Sequence, residues 1–344
     1  MNSCFVIAEA GVNHNGSEKL ALELVEVAAK SGANAVKFQT FKAINLVAKG
    51  TAKANYQKEQ TGSGDQYSML EKLEMTEELH HKLVVHCKKY DIEFMSTAFD
   101  VEAASFLISL GMEILKVPSG ELTNHPFISE LASFNKPMIL STGMSTLDEV
   151  KESVDVIRDV RNKCGFTDPI EQVLTILHCT SNYPTRNEDV NLKAMQTMAN
   201  KLLVPVGYSD HTDGLLASVA SVAMGATIVE KHFTLDRNLP GPDHKASLEP
   251  NELKLMVQQI RQIEACLGDG VKAPRESELP VRELVRRSVT LSVDKVAGDV
   301  IKEEDLQLLR PGMGIPPKQL QEVIGKRVKS SLTAGTTLIW QHLN

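Results

Sequence analysis

The sequence has few cysteines and no motif that pairs them. Its 344 residues contain only Cys4, Cys87, Cys164, Cys179 and Cys266, and no two of them form a C-x-x-C pair. This scatter argues against a disulfide framework or a thiolate zinc site and favours a reducing, cytoplasmic environment. A nucleophilic role for Cys179 beside His178 is not expected, because neighbouring residues on a strand point to opposite faces.

Long apolar runs and dense basic segments are also missing. No stretch approaches the roughly 20 apolar residues that span a bilayer, and the opening MNSCFVIAEAGVNHNG lacks the basic region of a signal peptide. The formal net charge is −7, and no cluster of Lys and Arg is dense enough to indicate a nucleic-acid or membrane surface. With 42% hydrophobic and 24% charged residues, the composition is typical of a globular protein with neither kind of partner.

Short apolar runs alternate with amphipathic helical stretches over the first 265 residues or so. The predicted strands are 4–9, 34–39, 92–97, 113–117, 137–142, 173–178, 203–208 and 227–232. The predicted helices are 17–30, 76–89, 101–110, 146–160, 214–224 and 250–266. Continuously apolar strands are typical of a parallel sheet covered on both faces, and the count and length favour a (β/α)₈ TIM barrel. An open doubly wound sheet is the alternative, but no G-x-G-x-x-G follows the first strand.

Three segments depart from the strand–helix repeat. The stretch 43–75 is long for a connection between a strand and a helix, which predicts a functional cover or a disordered insertion. After the barrel at 1–267, the polar segment 268–287 reads as a linker. The last segment, 288–344, predicts a small, mostly β domain with one weak helix at 317–325. A domain of that size is marginally stable alone, so it is expected to lean on the barrel or on a partner subunit.

Polar residues occupy the ends of all eight predicted strands. In the stretch IVEKHFTL, for example, an apolar strand runs directly into Glu230, Lys231 and His232. A buried histidine or solvated lysine at one strand end would be ordinary. Eight such ends predict an active site, because the C-terminal ends of barrel strands meet at one rim. The rim residues singled out are Glu9, Asn13, His14, Lys37, Gln39, Ser96, Thr97, Lys116, Ser119, Glu121, Ser141, Thr142, His178, Tyr183, Ser209, Asp210, His211, Glu230 and His232.

The rim histidines indicate a metal site. His211 and His232 end the adjacent strands seven and eight, so their imidazoles can converge on one divalent cation. Imidazole ligands suit Mn, Fe, Co or Zn better than Mg or Ca, which prefer all-oxygen shells. Two hydrogen-bonded structural histidines would look the same in sequence.

The rim lysines indicate an anion site. Lys37 and Lys116 lie near the hydroxyls of Thr97, Ser119 and Ser141, a combination that favours phosphate or carboxylate binding. A Schiff-base lysine is the alternative.

The rim carboxylates have less specific roles. Glu9 and Glu121 are candidates for a general base and a substrate hydrogen-bond acceptor. Asp243, in PGPDH, is either a ligand for sugar hydroxyls or a turn residue.

Ten segments, taken in order along the whole chain, resemble the sialic acid synthase family. They are AEAGVNHNG, VKFQTFKA, STAFD, KVPSGELTN, ILSTGM, HCTSNYPT, GYSDHT, VEKHFTLD, GPDHKASLEP and RPGMGI. Members of that family condense phosphoenolpyruvate with an N-acylated six-carbon aldose to give a nine-carbon 2-keto acid. The C-terminal segment resembles the antifreeze-like (SAF) domain of these synthases.

This resemblance implies an activity and a quaternary structure. N-acetylneuraminate synthase, using N-acetylmannosamine, is the first choice. Legionaminate synthase, using a 2,4-diacetamido-trideoxyhexose, is the alternative, followed by pseudaminate synthase. A homodimer is implied, in which the antifreeze-like domain of one subunit covers the barrel of its partner.

The resemblance also implies roles for individual residues. Phosphoenolpyruvate would be bound by Lys37, Gln39, Thr97, Lys116, Ser119 and Ser141. His211 and His232 would hold a divalent cation, with Mn²⁺ as first choice and Mg²⁺ or Co²⁺ as alternatives, and Glu9 would be the mechanistic glutamate. The acceptor sugar would contact Glu121, Tyr183, Asp243 and, through its N-acyl group, Arg310. The segment 55–70 and the positions around Ser181 and Asn182 match the family least, so acceptor specificity is left open.

Overall fold

A computed structural model describes residues 3–344, which divide between Gly268 and Asp269 into two compact units. The first unit is a closed barrel of eight parallel strands, in which each strand pairs with the next and β8 returns to β1. This confirms the predicted (β/α)₈ barrel. The strands are β1 Phe5–Gly11, β2 Ala35–Thr40, β3 Glu93–Ala98, β4 Leu115–Val117, β5 Met138–Ser141, β6 Leu174–Cys179, β7 Val206–Asp210 and β8 Ile228–His232.

Helices surround the barrel, and several of them begin at a polar capping residue. Ser17 accepts a hydrogen bond from the backbone N–H of Leu20 at the start of the first helix, and Thr146 forms a capping box with Glu149. The helices of this unit are α1 Glu18–Lys30, α2 Ala43–Leu46, α3 Asn55–Thr61, α4 Gln66–Glu71, α5 Glu77–Lys89, α6 Val101–Ser109, α7 His125–Ser133, α8 Leu147–Lys163, α9 Ile170–Val173, α10 Lys193–Leu202, α11 Leu216–Ala223 and α12 Pro250–Leu267.

The structure adds elements that the pattern did not predict. The segment 43–75 contains the short helices α2, α3 and α4, so it is an ordered insertion. Helices α7 and α10, of 9 and 10 residues, were not predicted. Strand β7 begins at Val206, three residues later than predicted, because Leu203 ends α10 in the left-handed conformation (φ 57°).

The inside of the barrel changes from apolar to polar along its axis. A small apolar cluster fills the lower interior, formed by Ile7, Ala35, Met95, Ile139 and Leu177. Two residues further along each of these strands, on the same face, stand Glu9, Lys37, Thr97, Ser141 and Cys179. The larger apolar core lies between the strands and the surrounding helices. Polar side chains therefore predominate inside the C-terminal half of the barrel.

The second unit contains a two-stranded antiparallel sheet with its own small apolar core. Strands β9 Ser288–Leu291 and β10 Leu306–Leu309 pair in register, followed by the short helix α14 Leu320–Val323. The segment 268–287, predicted as a linker, contains helix α13 Leu279–Val285. A proline in the first turn of that helix costs no hydrogen bond, which is why it does not break the helix.

Within residues 3–344, no helix is both long enough and apolar enough to pass through a bilayer.

Candidate active site

A cavity of about 490 Å³ opens at the C-terminal end of the barrel, and each of the eight strands contributes to its wall. Residues from the insertion 43–75 form part of the same wall. Of the residues singled out in the sequence, those that line the cavity are Glu9, Lys37, Gln39, Thr97, Lys116, Ser119, Ser141, Tyr183, Ser209, His211, Glu230, His232 and Asp243. The structure thus brings together twelve of the nineteen predicted rim residues, and Asp243. The predicted rim residues that do not line the cavity are Asn13, His14, Ser96, Glu121, Thr142, His178 and Asp210.

The floor of the cavity holds two buried lysines and two buried glutamates. The Nζ atom of Lys37 lies 2.7 Å from Oε2 of Glu9 and 3.7 Å from Oε2 of Glu230. The Nζ atom of Lys116 lies 3.3 Å from Oε1 of Glu230. Lys37 also donates a hydrogen bond to Oγ1 of Thr97, at 2.9 Å. All four charged groups are desolvated, so the cluster is stable only while its charges balance.

Burial and mutual attraction move the pKa values of this cluster in different directions. Burial acts against the charge on Lys37, but the carboxylates of Glu230 and Glu9 outweigh it and raise the pKa of that ammonium. For Glu230, the ammonium groups of Lys116 and Lys37 outweigh burial and lower its pKa. Burial and the neighbouring Lys37 lower the pKa of Lys116 despite the opposing charge of Glu230. Lys37 and Glu230 are therefore firmly charged at neutral pH.

Several buried polar atoms in the cavity have no hydrogen-bond partner among the described residues. They are Oγ of Ser141, Nδ1 of His232, and the Oε2 atoms of Glu9 and Glu230, although the two carboxylate oxygens have the ionic contacts given above. Native structures leave few such atoms unpaired. Their clustering in one cavity indicates the position of a polar ligand.

His211 and His232 lie close together in the cavity, because they come from the ends of the adjacent strands β7 and β8. Their ring centroids are 5.5 Å apart with an angle of 51° between the planes. The Nδ1–H group of His211 donates to the carbonyl of Thr180, at 2.8 Å, which leaves the lone pair on Nε2. Burial lowers the pKa of His211 to about 4 and that of His232 well below its ordinary value. Both imidazoles are therefore neutral, as a metal ligand must be.

Within residues 3–344, no group of three or more His, Cys, Asp or Glu side chains is arranged to hold a metal ion. Two neutral imidazoles still fit a catalytic cation, because such sites keep positions open for substrate and water. The free Nε2 lone pair of His211 and the imidazole of His232, which lines the cavity, are available for this role.

Aromatic residues form one wall of the cavity above the histidines. The ring of Tyr183 lies 4.2 Å from that of His211 and 5.8 Å from that of His232, measured between centroids. Tyr56, on helix α3 of the insertion, stacks 5.3 Å from Tyr183. The insertion is therefore a cover of the site, one of the two outcomes that its length predicted.

Asp243 lies beside this wall, on the loop after β8. Burial, and secondarily the charge of Glu9, raise the pKa of its carboxyl group to about 7. The side chain is thus poised between its neutral and ionised forms near neutral pH, and it can both donate and accept hydrogen bonds.

Two predicted acceptor residues do not line this cavity. Glu121 lies in the turn after β4 and accepts a hydrogen bond from Nδ2 of Asn124, at 2.6 Å. Arg310 is an exposed residue of the second unit, directly after β10. Asp210, expected at the rim, is buried on the outer face of β7, because side chains alternate along a strand.

Several residues that line the cavity had no role predicted from the sequence. Glu230 contacts both lysines. Its position two residues before His232 on the same strand predicts that both side chains face the cavity. Cys179 lies 3.0 Å from Oγ of Ser119, which also accepts from the backbone N–H of Gly143. Tyr56 could not be assigned from sequence, since it belongs to the insertion rather than to a strand end.

A (β/α)₈ barrel with paired lysines, paired glutamates and two neutral imidazoles at its C-terminal end defines an enzyme that binds an anionic substrate. The chain belongs to the NeuB family, whose model matches residues 24–272, and the SAF domain model matches residues 286–344. Family membership confirms the prediction of a phosphoenolpyruvate-dependent synthase of nonulosonic acids, carrying an antifreeze-like domain.

Three similar proteins illustrate this relationship. The chain is 53% identical to N,N'-diacetyllegionaminic acid synthase of Legionella pneumophila over 342 residues, covering 99% of this chain and 95% of that protein. It is 46% identical to the enzyme of the same name from Campylobacter jejuni over 327 residues, covering 95% and 96%. The crystal structure of N-acetylneuraminic acid (sialic acid) synthetase from Leptospira borgpetersenii matches with a TM-score of 0.70 at 34% identity, covering 81% of this chain and 90% of that one.

Proposed function

We propose that this enzyme is an N,N'-diacetyllegionaminic acid synthase, which condenses phosphoenolpyruvate with a 2,4-diacetamido-trideoxyhexose and water. The proposal on the acceptor is supported by the 53% and 46% identity to two synthases of that name. N-acetylneuraminate synthase, the first choice from sequence, becomes the second candidate, because the match to the sialic acid synthetase is at only 34% identity.

One observation carries the chemistry: two buried lysines, two buried glutamates and two neutral histidines line one cavity. Phosphoenolpyruvate brings a phosphate and a carboxylate, which need cations in a desolvated site. Lys37 and Lys116, with the unpartnered hydroxyl of Ser141, provide such a cradle. The raised pKa of Lys37 keeps its amine protonated, which supports anion binding rather than a Schiff base.

The available nitrogens of His211 and His232 would hold a divalent cation, with Mn²⁺ as first choice and Mg²⁺ or Co²⁺ as alternatives. When bound, the cation supplies a Lewis acid that polarises the aldehyde of the opened acceptor sugar. Tyr183 packs on both rings and restricts their orientation, while the hydrogen bond to Thr180 fixes the tautomer of His211.

The reaction forms one carbon–carbon bond and breaks one carbon–oxygen bond. Carbon 3 of phosphoenolpyruvate bonds to the aldehyde carbon of the acceptor, and water adds to carbon 2. The bond between carbon 2 and the phosphate oxygen then breaks, which releases phosphate and leaves the 2-keto acid. Glu9, held 3.2 Å from Nε2 of Gln39 and 2.7 Å from Nζ of Lys37, is assigned to orient that water and accept its proton.

The acceptor would lie in the outer part of the cavity, between Tyr183, Tyr56 and Asp243. Asp243 can hydrogen-bond to sugar hydroxyls in either protonation state. We further propose that the enzyme is a homodimer in which Arg310 contacts the N-acyl group of an acceptor in the partner's barrel. The exposure of Arg310 is consistent with this role.

Steady-state kinetics on two acceptors tests the substrate. We expect kcat/KM for the 2,4-diacetamido-trideoxyhexose to exceed that for N-acetylmannosamine by about 100-fold or more, since a site that recognises an amide discriminates strongly against a hydroxyl in its place. Phosphate release, coupled to a colorimetric assay, measures both rates at fixed phosphoenolpyruvate. Equal or reversed preference would assign the second candidate function.

The variant Arg310→Ala tests the role of the second unit. Loss of one charge-assisted hydrogen bond to the acceptor should raise the KM for that sugar by about 10- to 100-fold. The dissociation constant for phosphoenolpyruvate should stay within twofold of wild type, as measured by equilibrium dialysis. The matched control is Arg327→Ala, whose side chain donates to the carbonyl of Gly298 in the same unit. An equal loss of both substrates in Arg310→Ala would contradict the assignment.

A further inference from the structure

Lys231 and Asp210 form an ion pair in the layer between the barrel and its helices. The two residues are directly paired in the β7–β8 ladder, with Nζ 3.2 Å from Oδ2, and both side chains are 0% exposed. Because side chains alternate along a strand, this pair points outward while Ser209, Glu230 and His232 point into the cavity. The two charges therefore lie on the outer face of β7 and β8, opposite the face that lines the cavity.

Hydrogen bonds extend this pair to the residues around His211. The Oδ1 atom of Asp210 accepts from the backbone N–H and the hydroxyl of Thr212, both at 2.8 Å. Its Oδ2 atom accepts from Oγ of Ser218 on α11, at 2.6 Å. Lys231 donates to the carbonyl of Thr212, at 2.5 Å. Both sequence neighbours of His211, Asp210 and Thr212, therefore contact Lys231.

Stability alone does not account for a charged pair at this position. Desolvating two charges is costly, and replacing a buried ion pair by apolar residues of similar size is often neutral or stabilising. Each charged residue, however, directly precedes one of the histidines: Asp210 precedes His211, and Lys231 precedes His232. A bond between the two charges therefore fixes the relative height of the two histidines on adjacent strands.

We propose that the Lys231–Asp210 pair is a positioning device that sets the separation of His211 and His232 for a shared divalent cation. The inference rests on the cation role given under Proposed function. Neither charged side chain lines the cavity, so any effect on the cation acts through the histidines. The separation of the two histidines must be set closely, since a ligand nitrogen lies about 2.0–2.1 Å from such an ion. Ligands in such sites have to be held to within about 0.5 Å of their positions.

Three variants test the proposal: Lys231→Met, Asp210→Asn, and the double variant that carries both. The affinity of metal-depleted protein for Mn²⁺ is measured by electron paramagnetic resonance of the free ion, independently of turnover. We expect each single variant to bind Mn²⁺ about 10- to 100-fold more weakly. The double variant leaves no unpaired buried charge, so it should recover much of the thermal stability that Lys231→Met loses. Its Mn²⁺ affinity should stay at least about tenfold below wild type.

A control variant tests whether the loss of any buried ion pair is enough to weaken Mn²⁺ binding. Lys295→Met removes the partner of Asp305 in the second unit, 2.5 Å away, and should leave Mn²⁺ affinity unchanged. A folded double variant that binds Mn²⁺ as tightly as wild type would overturn the positioning role alone. Equal Mn²⁺ affinity in wild type and His232→Ala would overturn the cation assignment, and the positioning role with it.

Discussion

Alanine at either His211 or His232 is expected to lower kcat/KM by about 10³-fold or more. The two imidazoles are neutral and 5.5 Å apart, and removing one takes away a ligand of the proposed cation, which would polarise the acceptor. Activity of metal-depleted wild-type enzyme should return on adding Mn²⁺. The same addition should leave each variant inactive in the phosphate-release assay.

These variants should still bind phosphoenolpyruvate, because Lys37 and Lys116 lie on β2 and β4, whereas the two histidines lie on or directly after β8 and β7. Equilibrium dialysis should give a dissociation constant within about threefold of wild type. The matched control is His86→Ala, on α5, whose imidazole does not line the cavity. Wild-type turnover in the presence of EDTA, or full activity of His232→Ala, would remove the cation from the mechanism.

The barrel and most of its site could be predicted because one pattern encodes both. On four strands, the inward-facing residue is apolar in the lower interior and polar two positions later, as with Ile7 and Glu9 on β1. The strand ends are therefore visible as apolar runs that finish in polar residues. Closure of the sheet then brings those ends together, whatever their distance in sequence.

The parts that could not be predicted depend on which face a residue occupies or on segments outside the strands. The stretch Glu230–Lys231–His232 looks uniform in sequence, yet its middle residue pairs with Asp210 on the outer face. The predicted end of β7, at residue 208, is two residues too early, so Asp210 was expected at the rim. Tyr56 joins the site only because the insertion folds back over the barrel, a tertiary contact without a local signal.

Methionine at Lys116 is expected to lower kcat/KM for phosphoenolpyruvate by about 10²- to 10³-fold. The change removes one of the two cations of the cradle and leaves Glu230 with the more distant Lys37, at 3.7 Å. The KM for the acceptor sugar should change much less, because the acceptor is assigned to the outer part of the cavity. Lys82→Met is the control, since Lys82 pairs with Glu18 and Glu78 on the surface, away from the cavity.

The pH dependence of the same residue gives a sharper test. Burial lowers the pKa of Lys116 below 10.5, so its ammonium loses a proton at lower pH than an exposed lysine does. Since the protonated form binds the anion, kcat/KM for phosphoenolpyruvate in wild type should fall as pH rises through that lowered pKa. Arginine stays protonated over this range, so Lys116→Arg should show a lower kcat/KM that does not fall with rising pH. An alkaline decline of equal size in Lys116→Arg would mean that another group controls binding, and Lys116 would lose its role in the cradle.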